Sequence, residues 1–176
     1  MKFLQSVLLI ISFLSLSCKG QKVDKEEKML SAGDFRFSEK AAGWVSDFEK
    51  ILTSAQVTFL DSIISRHKEQ TTNEIAVVTY NADTAHILTD EDFKEFSTAL
   101  FNKWGIGEKD KNNGIGILIS PNVRKIRIEV GLGLEAKLTN REAKNIIDTV
   151  IIPLFKKGEY FTGITKGLEA IFSEIQ

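Results

Sequence analysis

The sequence predicts an α/β fold, a three-layer α/β/α sandwich with a small mixed sheet that includes one β-hairpin. Three observations lead there. Stretches of helical periodicity alternate with short β-branched runs between residues 43 and 176. Two apolar runs, 114–120 and 123–130, are parted only by Pro121-Asn122. Thr53, Thr89 and Thr139 each stand where a helical stretch begins, as capping residues do.

Thr53-Ser-Ala-Gln56 is a capping box: the threonine hydroxyl and the glutamine side chain satisfy backbone N–H groups that the first helical turn leaves free. A helix over about 54–69 follows, with Val57, Leu60, Ile63 and Ile64 on one face. Glu74–Tyr80 is apolar, β-branched and free of turn residues, which predicts a central strand covered on both sides.

Thr89-Asp-Glu-Asp92 places carboxylates at the positive end of a second helix, which turns Phe93, Phe96, Leu100, Phe101 and Trp104 inward and ends at Gly105 and Gly107. The hairpin comes next. In its second run Ile126, Ile128 and Val130 share one face, while Lys125, Arg127 and Glu129 share the other. Thr139-Asn-Arg-Glu142 is a second capping box, opening a helix striped by Ala143, Ile146, Ile147 and Val150 that kinks or stops near Pro153. A last helix is expected over about 159–175.

Ahead of this domain the chain reads differently. Residues 1–18 form a lipoprotein-type leader: Met-Lys, then an apolar run from Phe3 to Leu16, shorter than the roughly 20 residues that span a bilayer. Ser17 before Cys18 resembles the lipobox cut by bacterial lipoprotein signal peptidase, although Ser15 stands where leucine is usual. An ordinary secretory leader with an incidental cysteine is the plainer alternative. Lipidation of Cys18 would hold the protein to a membrane without spanning it. Residues 19–42 are polar, mixed in charge and aperiodic, as a tether is. The expected location is the bacterial cell envelope, facing the periplasm or the cell surface.

Cys18 is the only cysteine, which leaves no intrachain disulfide and no thiolate site in the domain. The 23 basic and 24 acidic residues leave a net charge of −1, so nucleic acid is not an expected partner.

Three polar or glycine-rich segments exceed what packing requires: Asp47, Lys109–Gly114 and Gly131–Glu135. Oxygen-rich loops that converge at one edge of an α/β sheet can hold a hard cation. Each segment also has a plainer explanation, since Asp47, Asn112-Asn113-Gly114 and the glycines around Leu132 all suit tight turns. Asp110-Lys-Asn-Asn-Gly is not an EF-hand loop, because its glycine arrives one position early and Pro121 stands where the bidentate glutamate is needed. His67 and His86 lack metal-ligand spacing, and His67 is expected on a helix surface.

The ordered series Val45-Ser-Asp47, Phe101-Asn-Lys-Trp104-Gly-Ile-Gly107, Asn113-Gly114, Arg127-Ile-Glu129-Val-Gly131-Leu-Gly-Leu-Glu135, Leu138-Thr139, Pro153 and Gly158-Glu-Tyr160 resembles the TPM domain family over residues 43–176. The resemblance implies an α/β domain whose relatives include a thylakoid-lumen acid phosphatase, a receptor auxiliary protein and many exported bacterial proteins. It also implies a divalent-cation site, Ca²⁺ before Mg²⁺, on Asp47, Asn113 and Glu135, with Glu129 as a further contributor. Asn112 stands where relatives often carry aspartate, which lowers the charge of the ligand set. Two functions follow as expectations: a tethered binding or assembly module for an integral membrane protein, or a metal-dependent acid phosphatase acting on phosphomonoesters.

Overall fold

The computed structural model describes residues 40, 43–81 and 89–176. The leader, Cys18, almost all of the tether and His86 lie outside the described residues. Strands β1 (Val45–Asp47), β2 (Glu74–Thr79), β3 (Gly114–Ser120) and β4 (Lys125–Val130) form one sheet in the order β1-β2-β3-β4. The first three are parallel, and β4 returns antiparallel to β3. The expected sandwich with its mixed sheet and hairpin is therefore observed.

Helices α1 (Ser54–Thr71), α3 (Asn140–Ile146) and α5 (Tyr160–Glu174) cover one face, packing Leu60, Ile64, Ile146, Ile164 and Leu168 against Ile75, Val77, Ile115 and Ile117. Helix α2 (Asp90–Trp104) covers the other, where Phe93, Phe96, Leu100 and Phe101 meet Ala76, Val78 and Leu118. Gly116 makes this second contact possible, because a Cβ there would come within 2.3 Å of the Phe101 ring. All three threonine caps form reciprocal capping boxes.

Strand β1 is a feature the sequence reading lacked. It is three residues long, too short for periodicity to announce, and is held by α1: the Asp61 carboxylate accepts the N–H groups of Trp44 and Val45 at 2.7 and 2.9 Å.

The turn of the hairpin is longer than expected. Pro121–Arg124 form a four-residue turn closed by Arg124 N–H to the Pro121 carbonyl at 3.2 Å, so Val123 and Arg124 belong to the loop and not to β4. Arg124 takes a left-handed φ of 53°, which its residue type did not signal. Near Pro153 the helix changes form and then stops, at Phe155. A π-helical turn (Ile147–Ile151) connects α3 to α4 (Ile152–Phe155), widening the ladder just ahead of the proline that cannot donate to it.

His67 is also corrected. It is 7% exposed and stacks on Phe172 of α5 at 4.2 Å, because α5 covers the side of α1 that carries it.

Candidate functional site

The sheet has two ends, and the residues expected to share a cation fall at both. Asp47 pairs in register with Thr79, and Thr79 with Ile119, at the carboxyl end of the parallel strands. Asn113 precedes Gly114, which pairs with Glu74 at the opposite end, where Gly131 N–H also bonds the Gly114 carbonyl. Five residues at about 3.3 Å each, plus three strand spacings of about 4.8 Å, separate Asp47 from Glu135 by on the order of 20 Å. The expectation that these loops converge fails, because it assumed strand directions that only long-range pairing sets.

Asp47 is a bracket for the loop that follows β1. Its Oδ2 accepts Leu52 N–H at 2.9 Å, and its Oδ1 accepts Ile51 N–H at 3.3 Å and the Thr79 hydroxyl at 2.5 Å. Thr79 Oγ1 in turn accepts Glu49 N–H. The carboxylate organises a turn, which was its plainer explanation.

Asn113 is 4% exposed and its amide is engaged at both ends. Its Oδ1 accepts Glu108 N–H at 2.8 Å, and its Nδ2 donates to the Thr72 carbonyl at 2.9 Å. It thereby ties the loop before β3 to the end of α1, where Thr72 takes a left-handed φ of 68°.

Glu135 lies at the same sheet end as Asn113 and is exposed. The loop leading to it is locked by close backbone approach: Gly133 N–H bonds the Asn112 carbonyl at 3.0 Å, and a Cβ on Gly133 would stand 2.0 Å from the Lys111 carbonyl. Between Gly131 and Gly133, Leu132 is 74% exposed. Glu129 is the last but one residue of β4, on the α2 side, where it accepts from Arg127 and from the Thr98 hydroxyl at 3.1 Å.

The four residues therefore do not form one ligand set. Among the described residues no group of three His, Cys, Asp or Glu side chains is placed to hold a metal ion.

Glu74, at the Asn113 end, is a residue the sequence reading passed over. Its Oε1 pairs with Lys68 at 2.8 Å and its Oε2 accepts Gly107 N–H at 2.8 Å. Burial would push this carboxyl up, but the hydrogen bonds from Lys68 and Gly107 and the charges of Lys68 and Lys40 outweigh it and hold the group below its ordinary range. The Lys68 ammonium also lies 4.7 Å from the Trp44 ring centroid. A strand-opening glutamate one helix-end away from a lysine was the available signal.

The geometry at both sheet ends is thus one of loops fixed by buried polar groups. The TPM domain family model matches residues 45–174. The chain belongs to the TPM domain family.

Solved structures agree with the fold of this TPM domain. It is 28% identical to the N-terminal domain of a protein from P. gingivalis, with a TM-score of 0.65 over 74% of this chain and 80% of that one. The BA42 protein of the psychrophilic bacterium Bizionia argentinensis is 17% identical, with a TM-score of 0.60 over 73% and 83%. The N-terminal domain of the cg2496 protein from Corynebacterium glutamicum is 15% identical, with a TM-score of 0.57 over 81% and 86%. The last two likenesses speak to fold alone. None of the curated proteins matches the chain.

Proposed function

We propose that this TPM domain is exported, anchored in the bacterial cell envelope through lipid on Cys18, and serves as a binding or assembly module for an integral membrane protein. The observation that carries the module reading is the use made of the candidate site residues. Asp47 and Asn113 spend their polar atoms on fixing loops at opposite ends of the sheet, and the loop that Asn113 fixes holds, through the Asn112 carbonyl, the one that carries the exposed Leu132. Rigid loops with a projecting apolar residue suit recognition of a partner. The leader ending at Cys18 and the polar tether support the anchoring part, and the three solved relatives are bacterial.

The phosphatase reading needs one cation in contact with Asp47, Asn113 and Glu135, and these residues do not fit it.

The test uses the full chain expressed in a bacterial host fed a palmitate analogue. Label is expected on the native chain and absent from Cys18→Ser, which should shift from the membrane to the soluble fraction. Crosslinking in the native membrane should recover an integral membrane protein. An unlabelled native chain would sink the anchoring; chelator-sensitive hydrolysis of a chromogenic phosphomonoester, lost in Asp47→Ala and Glu135→Ala alike, would overturn the module.

A further inference from the structure

β4 is an edge strand: no strand pairs with its outer side, where Ile126 and Val130 are part-exposed and Ile128 is 4% exposed. The bond from Gly131 N–H to Gly114 fixes the ladder phase, so Lys125, Arg127 and Glu129 turn their backbone groups toward β3. The N–H and C=O groups of Ile126, Ile128 and Val130 turn outward, and among the described residues they meet no hydrogen-bond partner. Two grooves flank this edge. One, of about 560 Å³, runs between α2 and α3; the other, of about 630 Å³, runs between the hairpin turn and α4, and both share Arg124, Lys125, Ile126 and Ile152.

The charge of these grooves departs from that of the chain. Lys94, Arg124, Lys125, Arg127, Lys144 and Lys156 line them; Lys94, Lys125, Arg127 and Lys144 are paired with Glu91, Asp90, Glu129 and Asp148, which leaves the charges of Arg124 and Lys156 over in a protein of net charge −1. Arg124 and Lys156 form no ion pair among the described residues. Lys125 is paired with Asp90, whose side chain is 98% exposed, so that pair is readily exchanged.

We propose that β4 receives an extended acidic segment of a partner protein, which adds to the sheet as a fifth strand. Strand addition gives the partner's backbone the outward groups of Ile126, Ile128 and Val130. Side-chain alternation then specifies the segment: an acidic residue lies beside Lys125 on the α2 side, where Arg127 is already held by Glu129, and apolar residues lie beside Ile126 and Ile128 on the other. Cationic side chains on an edge strand commonly guard against self-pairing. Here the unpaired charges of Arg124 and Lys156 beside the strand favour an acidic partner. The proposal rests on the module reading for the existence of a partner, and adds the surface and the chemistry.

The test is fluorescence anisotropy of a labelled eight-residue peptide of alternating Asp and Val, titrated with the full chain in detergent micelles. The acidic peptide is expected to bind at least about tenfold tighter than its Lys-Val counterpart at low salt, with the difference shrinking as salt rises. Ile126→Pro removes an outward N–H and no ladder bond, so it should fold and lose at least about tenfold in affinity. Arg124→Glu with Lys156→Glu should weaken the acidic peptide and strengthen the basic one. Amide exchange at Ile126, Ile128 and Val130 should slow when peptide is added.

Equal affinity for both peptides, or an unchanged Ile126→Pro, would overturn strand addition by an acidic segment. So would slow exchange at these amides in the free chain. If deleting residues 19–42 relieves it, the tether is the occupant; if dilution relieves it, a second copy is. Failure of the peptide would leave Cys18 labelling and crosslinking unaffected, which separates this proposal from the module itself.

Discussion

His67 illustrates how a single residue's role turns on a partner far away in sequence. Its ring is stacked on Phe172 and its Nε2 meets no hydrogen-bond partner among the described residues. Burial lowers its pKa below the ordinary 6.5, so the folded state prefers the neutral ring. The unfolded chain takes up a proton as pH falls below that ordinary value, while the folded chain resists until its own lower value is reached. Stability is thus undiminished above about pH 6.5 and declines below it, levelling off once the folded pKa is passed. His67→Phe keeps a stacked ring and removes the proton site. Its melting temperature should fall less than the native chain's between pH 7.5 and pH 5.5, as followed by circular dichroism; equal falls would show that the slope arises elsewhere. The sequence placed this residue on a surface because α1's own periodicity says nothing of α5. Asn113 fared better: its turn chemistry was legible, while the tie it makes to Thr72 was not, since 41 residues separate the pair.

At the scale of elements, what was local was legible. The two capping boxes and the Thr89 cap lie within four residues each and all formed, with Asp92 completing a third box at Thr89. The hairpin was legible in kind but not in length, because Arg124's left-handed backbone is imposed by the turn and not encoded in an arginine. The loop from Gly131 to Glu135 was marked by its glycines, and the structure supplies their reason. Gly133→Ala would press a methyl group into the Lys111 carbonyl and should cost about 1–3 kcal/mol, read as a lower denaturation midpoint at unchanged slope. Gly105→Ala is the useful contrast: its space is open, so any cost there comes from its φ of 63° alone.

For the whole molecule, the candidate site was the part least legible. Sequence order gives strands but not their directions, and one antiparallel pairing is enough to send Glu135 to the end opposite Asp47. That separation can be measured. Asp47→Ala and Glu135→Ala should have additive effects on stability to within about 0.5 kcal/mol, with or without added Ca²⁺, as expected of groups beyond about 10 Å. A larger coupling that appears only with Ca²⁺ would restore the shared site.

Strand order in this sheet is also chain order, yet α1 and α2 cover opposite faces. Three parallel strands stepping the same way with helices on alternate sides must have crossovers of opposite hand, one of them the rare left-handed kind. The chain nonetheless never has to slip a strand between two already joined. Each strand as it is made finds its neighbour already in place, at one advancing edge. A polypeptide delivered through a membrane amino terminus first could assemble this sheet in the order of its arrival, with β4 last and its far side still available.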